Sequence, residues 1–329
     1  MTKHTRLAAL VFTLLLPLAG CGSGPSTTAD PQHDETTLTR FEYARVMMGS
    51  KARIVLYQEF EYEALTKASL AFDTIQHLND VLSDYDPNSE AMQLVSKPAN
   101  RWHNVSNDLA DVLSKSAKVW VASGGAFDPT VGPITQLWRA AAKSGEAPEP
   151  RAVREARSRV GLNLIEIDQA ESAVRLATDG MRLDFGGIGK GYAAQRALET
   201  LEGLDAPIAF VDLGGDLAIG DAPPETKGWV ISIESGVDNT KDITLTNCGV
   251  ATSGDLYQFI EIDGIRYSHI VDPRTGLGLT TRIAVTVIAD EPWLADALAS
   301  ALSVLGEEDS VHLREAFPDA QVFITTADK

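Results

Sequence analysis

The stretch Leu183–Gln195, LDFGGIGKGYAAQ, sets four glycines and one lysine between a strand-like run and a helix-like run. Glycines let a backbone approach a ligand closely, and the unpaired N–H groups of a helix start favour an anion, so phosphate is the first ligand to test. Spacing excludes the two familiar phosphate loops. The pattern G-x-x-x-x-G-K-[ST] would require Gly at 184 and Ser or Thr at 191, where the chain has Asp184 and Gly191. The dinucleotide fingerprint G-x-G-x-x-G fails as well, because Gly187, Gly189 and Gly191 run G-x-G-x-G and no regular βαβ alternation surrounds them. A kinase-like Asp184-Phe185-Gly186 stands without a Gly-rich loop or an H-R-D companion. Either an ordinary strand-to-helix turn or a phosphate loop outside the Rossmann plan remains.

The first residues read as an export signal. Lys3 and Arg6 precede the apolar run LAALVFTLLLPLA, which is short for a membrane span, and the tetrapeptide Leu18–Cys21, LAGC, resembles the lipobox of bacterial lipoproteins. Residues 1–20 are thus expected to be a signal peptide, Cys21 the lipidated residue, residues 21–37 a flexible polar tether, and 38–329 the folded domain. The expected location is the periplasmic or extracytoplasmic face of a membrane, held by the lipid. With Cys21 modified, Cys248 has no partner for an internal disulfide. A formal net charge of −18 argues against nucleic acid or acidic membrane surfaces as partners, so an anionic ligand needs local help from a metal, a helix start or a few basic groups.

Periodicity gives a mixture of elements. EALTKASLAFDTIQHLNDVLS carries Leu65, Phe72, Ile75, Leu78 and Leu82 at helical spacing, and SNDLADVLSKSAKVWVASGG is a helix with Ser106 as its cap and Gly124 and Gly125 as its stop. LIEID, AVRLA, IAFVDL, WVISIE, ITLTN and IAVTVIA read as strands, and WLADALASALSVLG as a late helix ended by Gly306. Helices cluster early and strands late, which points to an α+β fold with a mixed or antiparallel sheet and flanking helices. Loops rich in Gly, Asp and hydroxyl groups recur at 123–133, 183–193, 211–220 and 268–276, with the helix ADALAS at 295–300 as a further station. Several such loops in one chain suggest a shared site.

Taken in order, these stations, with Met48, Gly49 and Ser50 in MMGSKARI, resemble those of the ApbE family, the FAD:protein FMN transferases, over essentially the whole chain beyond the tether. The resemblance implies an ApbE-like fold and transfer of FMN from FAD to a threonine of an exported or membrane protein, with release of AMP. It also implies Mg2+ as cofactor and an acceptor bearing a motif like D-x-x-T-[GS]-A-T, among the flavin-carrying subunits of ion-pumping redox complexes. No such motif occurs in this chain, so modification would act in trans. An FAD pyrophosphatase yielding FMN and AMP, and a non-catalytic flavin-binding lipoprotein, are the alternatives.

By that similarity Asp296, Ser300 and backbone oxygens of Gly187 and Ala299 would surround the metal. Asp296 and Ser300 share one face of the late helix, where a carboxylate and a hydroxyl can reach one ion. Ser300 departs from the Thr commoner in the family, but keeps the hydroxyl. FAD contacts are implied at Met48, Gly49, Ser50, Ala126, Phe127, Asp128, Asp184, Lys190 and the backbone of Val271. Phe127 could equally be core, and Asp184 could merely cap its turn. His269 is the candidate general base or nucleophile, because imidazole ordinarily titrates near neutrality. Arg274 either pairs an internal carboxylate or meets phosphate.

Overall fold

The computed structural model describes residues 37–234, 240–254 and 259–326. The expected signal peptide, Cys21 and the tether up to residue 36 lie outside the described residues. Alternating apolar strands build a seven-stranded sheet: β1 (Thr39–Met47), β2 (Ser50–Gln58), β3 (Ala209–Leu213), β4 (Asp216–Ile219), β5 (Cys248–Gly254), β6 (Ile283–Ala289) and β7 (Gln321–Thr326). Spatial order follows chain order, and every neighbouring pair is antiparallel. No parallel crossover is needed, which is why the Rossmann reading fails.

Both faces of the sheet are covered. Ile54 and Leu56 enter the main core while Val55 between them enters a second one, as the two-residue period of a strand requires. The main core is shared with α1 (Glu61–Leu82), α2 (Asn107–Ala122), α4 (Gly189–Gly203) and α5 (Pro292–Leu305). On the other face a hairpin of Trp229–Glu234 and Thr240–Leu245 sets Trp229 edge-on to Phe210, with ring centroids 4.9 Å apart. A third cluster joins Ile134 and Trp138 of α3 (Gly132–Ser144) to Ile262 and Val271. The α+β architecture expected from the sequence is the one observed.

Local signals explain the element ends. Ser106 Oγ accepts from Leu109 N at 3.1 Å and starts α2, and Gly306 at φ +69° ends α5. Leu65 is a correction: it is exposed, and Ala64, Ala68 and Ala71 take the core face of α1 beside Phe72 and Ile75. The β1–β2 hairpin closes through Met48 and Gly49, both left-handed at φ +49° and +71°, which is the backbone that a tight two-residue turn requires. Among the described residues no helix is long and apolar enough to cross a membrane.

Candidate active site

None of Gly186, Gly187, Gly189 and Gly191 is left-handed, and for Gly187 and Gly191 the reason for glycine is close packing. A Cβ on Gly191 would lie 2.5 Å from the Pro292 carbonyl oxygen and 2.7 Å from Asp296 Cβ; one on Gly187 would lie 2.7 Å from Ser300 Oγ. Helix α5 is therefore pressed onto the start of α4. This brings Asp296 and Ser300 to the glycine loop, with the Phe127 ring edge at the same point, 3.4 Å from the Gly187 Cβ position.

The anion at the start of α4 is the protein's own. Gly191 N donates to Asp296 Oδ2 at 2.9 Å and Lys190 N donates to the same carboxylate, so these N–H groups are not offered to a phosphate. Burial, and then the charge of Asp216, push the Asp296 carboxyl up to about 7. Lys190 stands between the two carboxylates, and its Nζ donates to Asp216 Oδ2. Burial would lower the lysine, but Asp216 and Asp296 outweigh it and hold it above its ordinary value. Asp216 is itself 2% exposed, accepts from Thr252 N, and is pushed up by burial against the pull of Lys190. Two buried carboxylates share one lysine, which leaves the centre short of positive charge.

The other stations are linked to the glycine loop and to one another in a chain of contacts. Asp184 N donates to Pro129 O at 2.7 Å, which ties loop 183–193 to loop 123–133. The Asp184 carboxylate accepts from Gly186 N (2.9 Å), Thr135 Oγ1 (2.9 Å) and Arg139 Nη2 (3.1 Å), so it does cap its turn. Asp128 is held in the same way, accepting from Thr130 N and Oγ1 at 2.8 and 2.6 Å and from Leu162 N at 3.1 Å. Met48 Cε reaches within 4.0 Å of the Gly189 Cβ position, and Ser50 Cβ within 2.8 Å of that of Gly214. Gly49 forms the hairpin turn between them, and Ala126 is buried beside Phe127.

The fourth loop docks through its backbone. Trp138 Nε1 donates to Gly276 O at 3.0 Å, and Val271 pairs with Gly278. Arg274 Nε and Nη2 donate to Asp272 at 3.0 and 3.1 Å, which decides for the internal carboxylate. His269 is exposed at the head of this loop, outside the buried cluster. Ala299 lies on α5 beside Ser300, but its carbonyl accepts the Ser303 hydroxyl at 2.9 Å.

Sequence reasoning passed over Asp216, Thr135 and Arg139. The loop VDLGGDLAIG marked the place of Asp216, yet nothing in its spacing told that carboxylate from a turn residue. Arg139 and Thr135 lie on a helix and carry no motif at all. Two cavities flank the stations. One of about 190 Å3 lies between Trp120, Gly125, Asp128 and Arg274, where the first and fourth loops meet. Another of about 660 Å3 is lined by Met92, Gln136, Met181 and Arg182 and includes none of the buried charged cluster. Buried charges mark chemistry more directly than volume does, so the cluster around Lys190 is the candidate centre.

Among the described residues no three His, Cys, Asp or Glu side chains gather as a metal site. An ion at Asp296 would draw on hydroxyl, backbone and phosphate oxygens. That donor set suits magnesium, which takes few carboxylates and much substrate oxygen. The excess negative charge and the convergence of Asp296, Ser300 and Gly187 fit such an ion; the engaged carbonyl of Ala299 fits it least.

Comparison with known proteins gives one family. The sequence model of the ApbE family matches residues 48–324. The FAD:protein FMN transferase of Treponema pallidum is 31% identical over 310 residues, covering 88% of this chain and 85% of that protein. Among solved structures, the apo form of the flavinyl transferase ApbE of Pseudomonas stutzeri has a TM-score of 0.79 at 26% identity, covering 89% of this chain and 92% of its own. The ApbE protein of Thermotoga maritima gives 0.78 at 29% identity, covering 88% and 94%.

Proposed function

The chain belongs to the ApbE family, and from that membership we propose that it is a transferase moving FMN from FAD to a protein acceptor. The observation that carries the reading is the buried Asp296–Lys190–Asp216 cluster at the point where the family's stations converge. FAD is the substrate. A threonine hydroxyl of the acceptor attacks the FMN-side phosphorus, the bond from that phosphorus to the bridging oxygen breaks, AMP departs with the electron pair, and the hydroxyl proton leaves to a base.

The chain's residues divide this work. Lys190 supplies a cation fixed beside the pyrophosphate, in a molecule whose net charge of −18 would otherwise repel it. Met48, Gly49, Ser50, Ala126, Phe127 and the Val271 backbone border the flavin nucleotide, while Asp184 and Asp128 hold the shapes of the loops that receive it. His269, exposed where an acceptor can arrive, takes the hydroxyl proton or serves as nucleophile. Asp296 and Ser300, with Gly187 and less strongly Ala299, would hold Mg2+. When bound, the ion would neutralise charge building on the phosphoryl oxygens.

The LAGC stretch supports a lipid anchor at Cys21 and an extracytoplasmic location, where acceptors carrying a D-x-x-T-[GS]-A-T-like motif in redox complexes would be met. Chromatography of FAD and AMP after incubation with Mg2+ and an acceptor protein tests the division of roles. Asp296→Ala should lower turnover at least about 100-fold while leaving circular dichroism unchanged. Full turnover by this variant would sink the metal assignment.

A further inference from the structure

Asp216 is fixed more firmly than the lysine it holds. It opens β4 directly after the two-residue turn Gly214–Gly215, pairs in register with Leu213, accepts from Thr252 N of β5, and keeps 3% of its side chain exposed. Lys190 carries its charge on a flexible four-carbon stem and keeps 32% of its side chain exposed. Its own backbone N–H is bonded to Asp296, so the stem starts beside that carboxylate, and Asp296 attracts the ammonium alongside Asp216. A lysine in such a place takes whichever carboxylate is offered, because an unpaired buried charge is costly. If it paired with Asp296, it would occupy the carboxylate that lies one helical turn before Ser300 on α5.

We propose that Asp216 is a positioning residue that draws the Lys190 ammonium away from Asp296 and so keeps Asp296 open to a divalent cation. The inference rests on the metal reading above, but not on turnover. One carboxylate is the anchor for the lysine and the other is the ligand, and the sheet decides which is which: Asp216 is built into β4, whereas Asp296 is carried on α5 against the glycine loop.

The test uses Mn2+ as the probe, with free ion read by electron paramagnetic resonance and FAD left out. The parent, Asp216→Asn, Lys190→Met and the double variant form a cycle. Asp216→Asn should bind Mn2+ about tenfold or more weakly than the parent, the range for residues that orient a metal ligand. On the Lys190→Met background the same change should cost clearly less, because the competing ammonium is gone and only the direct action of the Asp216 charge on Asp296 remains. Parental affinity in Asp216→Asn, or an undiminished loss on the Lys190→Met background, would overturn the inference. Should Asp216→Asn alone fail to fold, Asp216→Ser takes its place in the cycle and is read by the same two criteria. A parent that binds Mn2+ but transfers no FMN would count against the proposed function alone, whereas a parent that binds no Mn2+ overturns this inference.

Discussion

Asp296 holds its proton unusually tightly for a carboxylate because it is sealed between α4 and α5 with a second buried carboxylate nearby. Its folded value, about 7, lies above the ordinary 3.8, so between those values the folded state binds more protons than the unfolded one. Stability must then fall as pH rises through that window. Denaturant titrations in EDTA should show this decline, and Asp296→Asn should flatten its share of the slope; identical slopes in the two proteins would contradict the burial assigned to Asp296. This residue and Ser300 were legible in the sequence because one helical turn separates them. Asp216 was not, because its importance comes from lying beside Lys190 across a strand-to-helix contact that no local spacing encodes.

Helix α5 meets the start of α4 with no room for a methyl group, and this contact is the structural reason for two of the glycines. Gly191→Ala puts its Cβ 2.5 Å from the backbone oxygen of Pro292, which cannot swing aside, and Gly187→Ala meets Ser300 Oγ at 2.7 Å. Each should cost about 1–3 kcal/mol in a thermal or denaturant melt, and Gly191→Ala the more, since its obstacle is backbone. Gly203→Ala, at the far end of α4 with nothing within 4 Å, should be neutral or stabilising by up to about 1 kcal/mol. Comparable losses at all three positions would contradict the packing explanation. Sequence reasoning placed a helix after these glycines, whereas it starts at Gly189 and takes in Gly191, and it did not separate crowding by a distant helix from close approach of a phosphate, because both leave the same residue type. Strand β5 stayed hidden for a related reason: Gly249 would put a Cβ 2.3 Å from Pro292 Cα, and the small residues around Val250 and Thr252 dilute the branched pattern that advertises strands.

At the scale of the whole molecule, an antiparallel sheet with a helical layer on one face brings loops from distant parts of the chain into contact beside one charged cluster. The fold class was legible because strand periods and helix caps are local, and so were the stations, because glycine, aspartate and hydroxyl clusters stand out between regular elements. Their mutual arrangement was not, since it depends on which strands pair and which helices press together. Family membership supplies the chemistry, flavin transfer to protein. The most direct measurement incubates the purified protein with FAD, Mg2+ and an acceptor protein carrying a D-x-x-T-G-A-T segment, and reads the acceptor by intact mass. The predicted result is a gain of one FMN less water, with one AMP released for each acceptor modified, and neither in EDTA. An unmodified acceptor alongside free FMN and AMP would contradict transfer and leave a pyrophosphatase in its place.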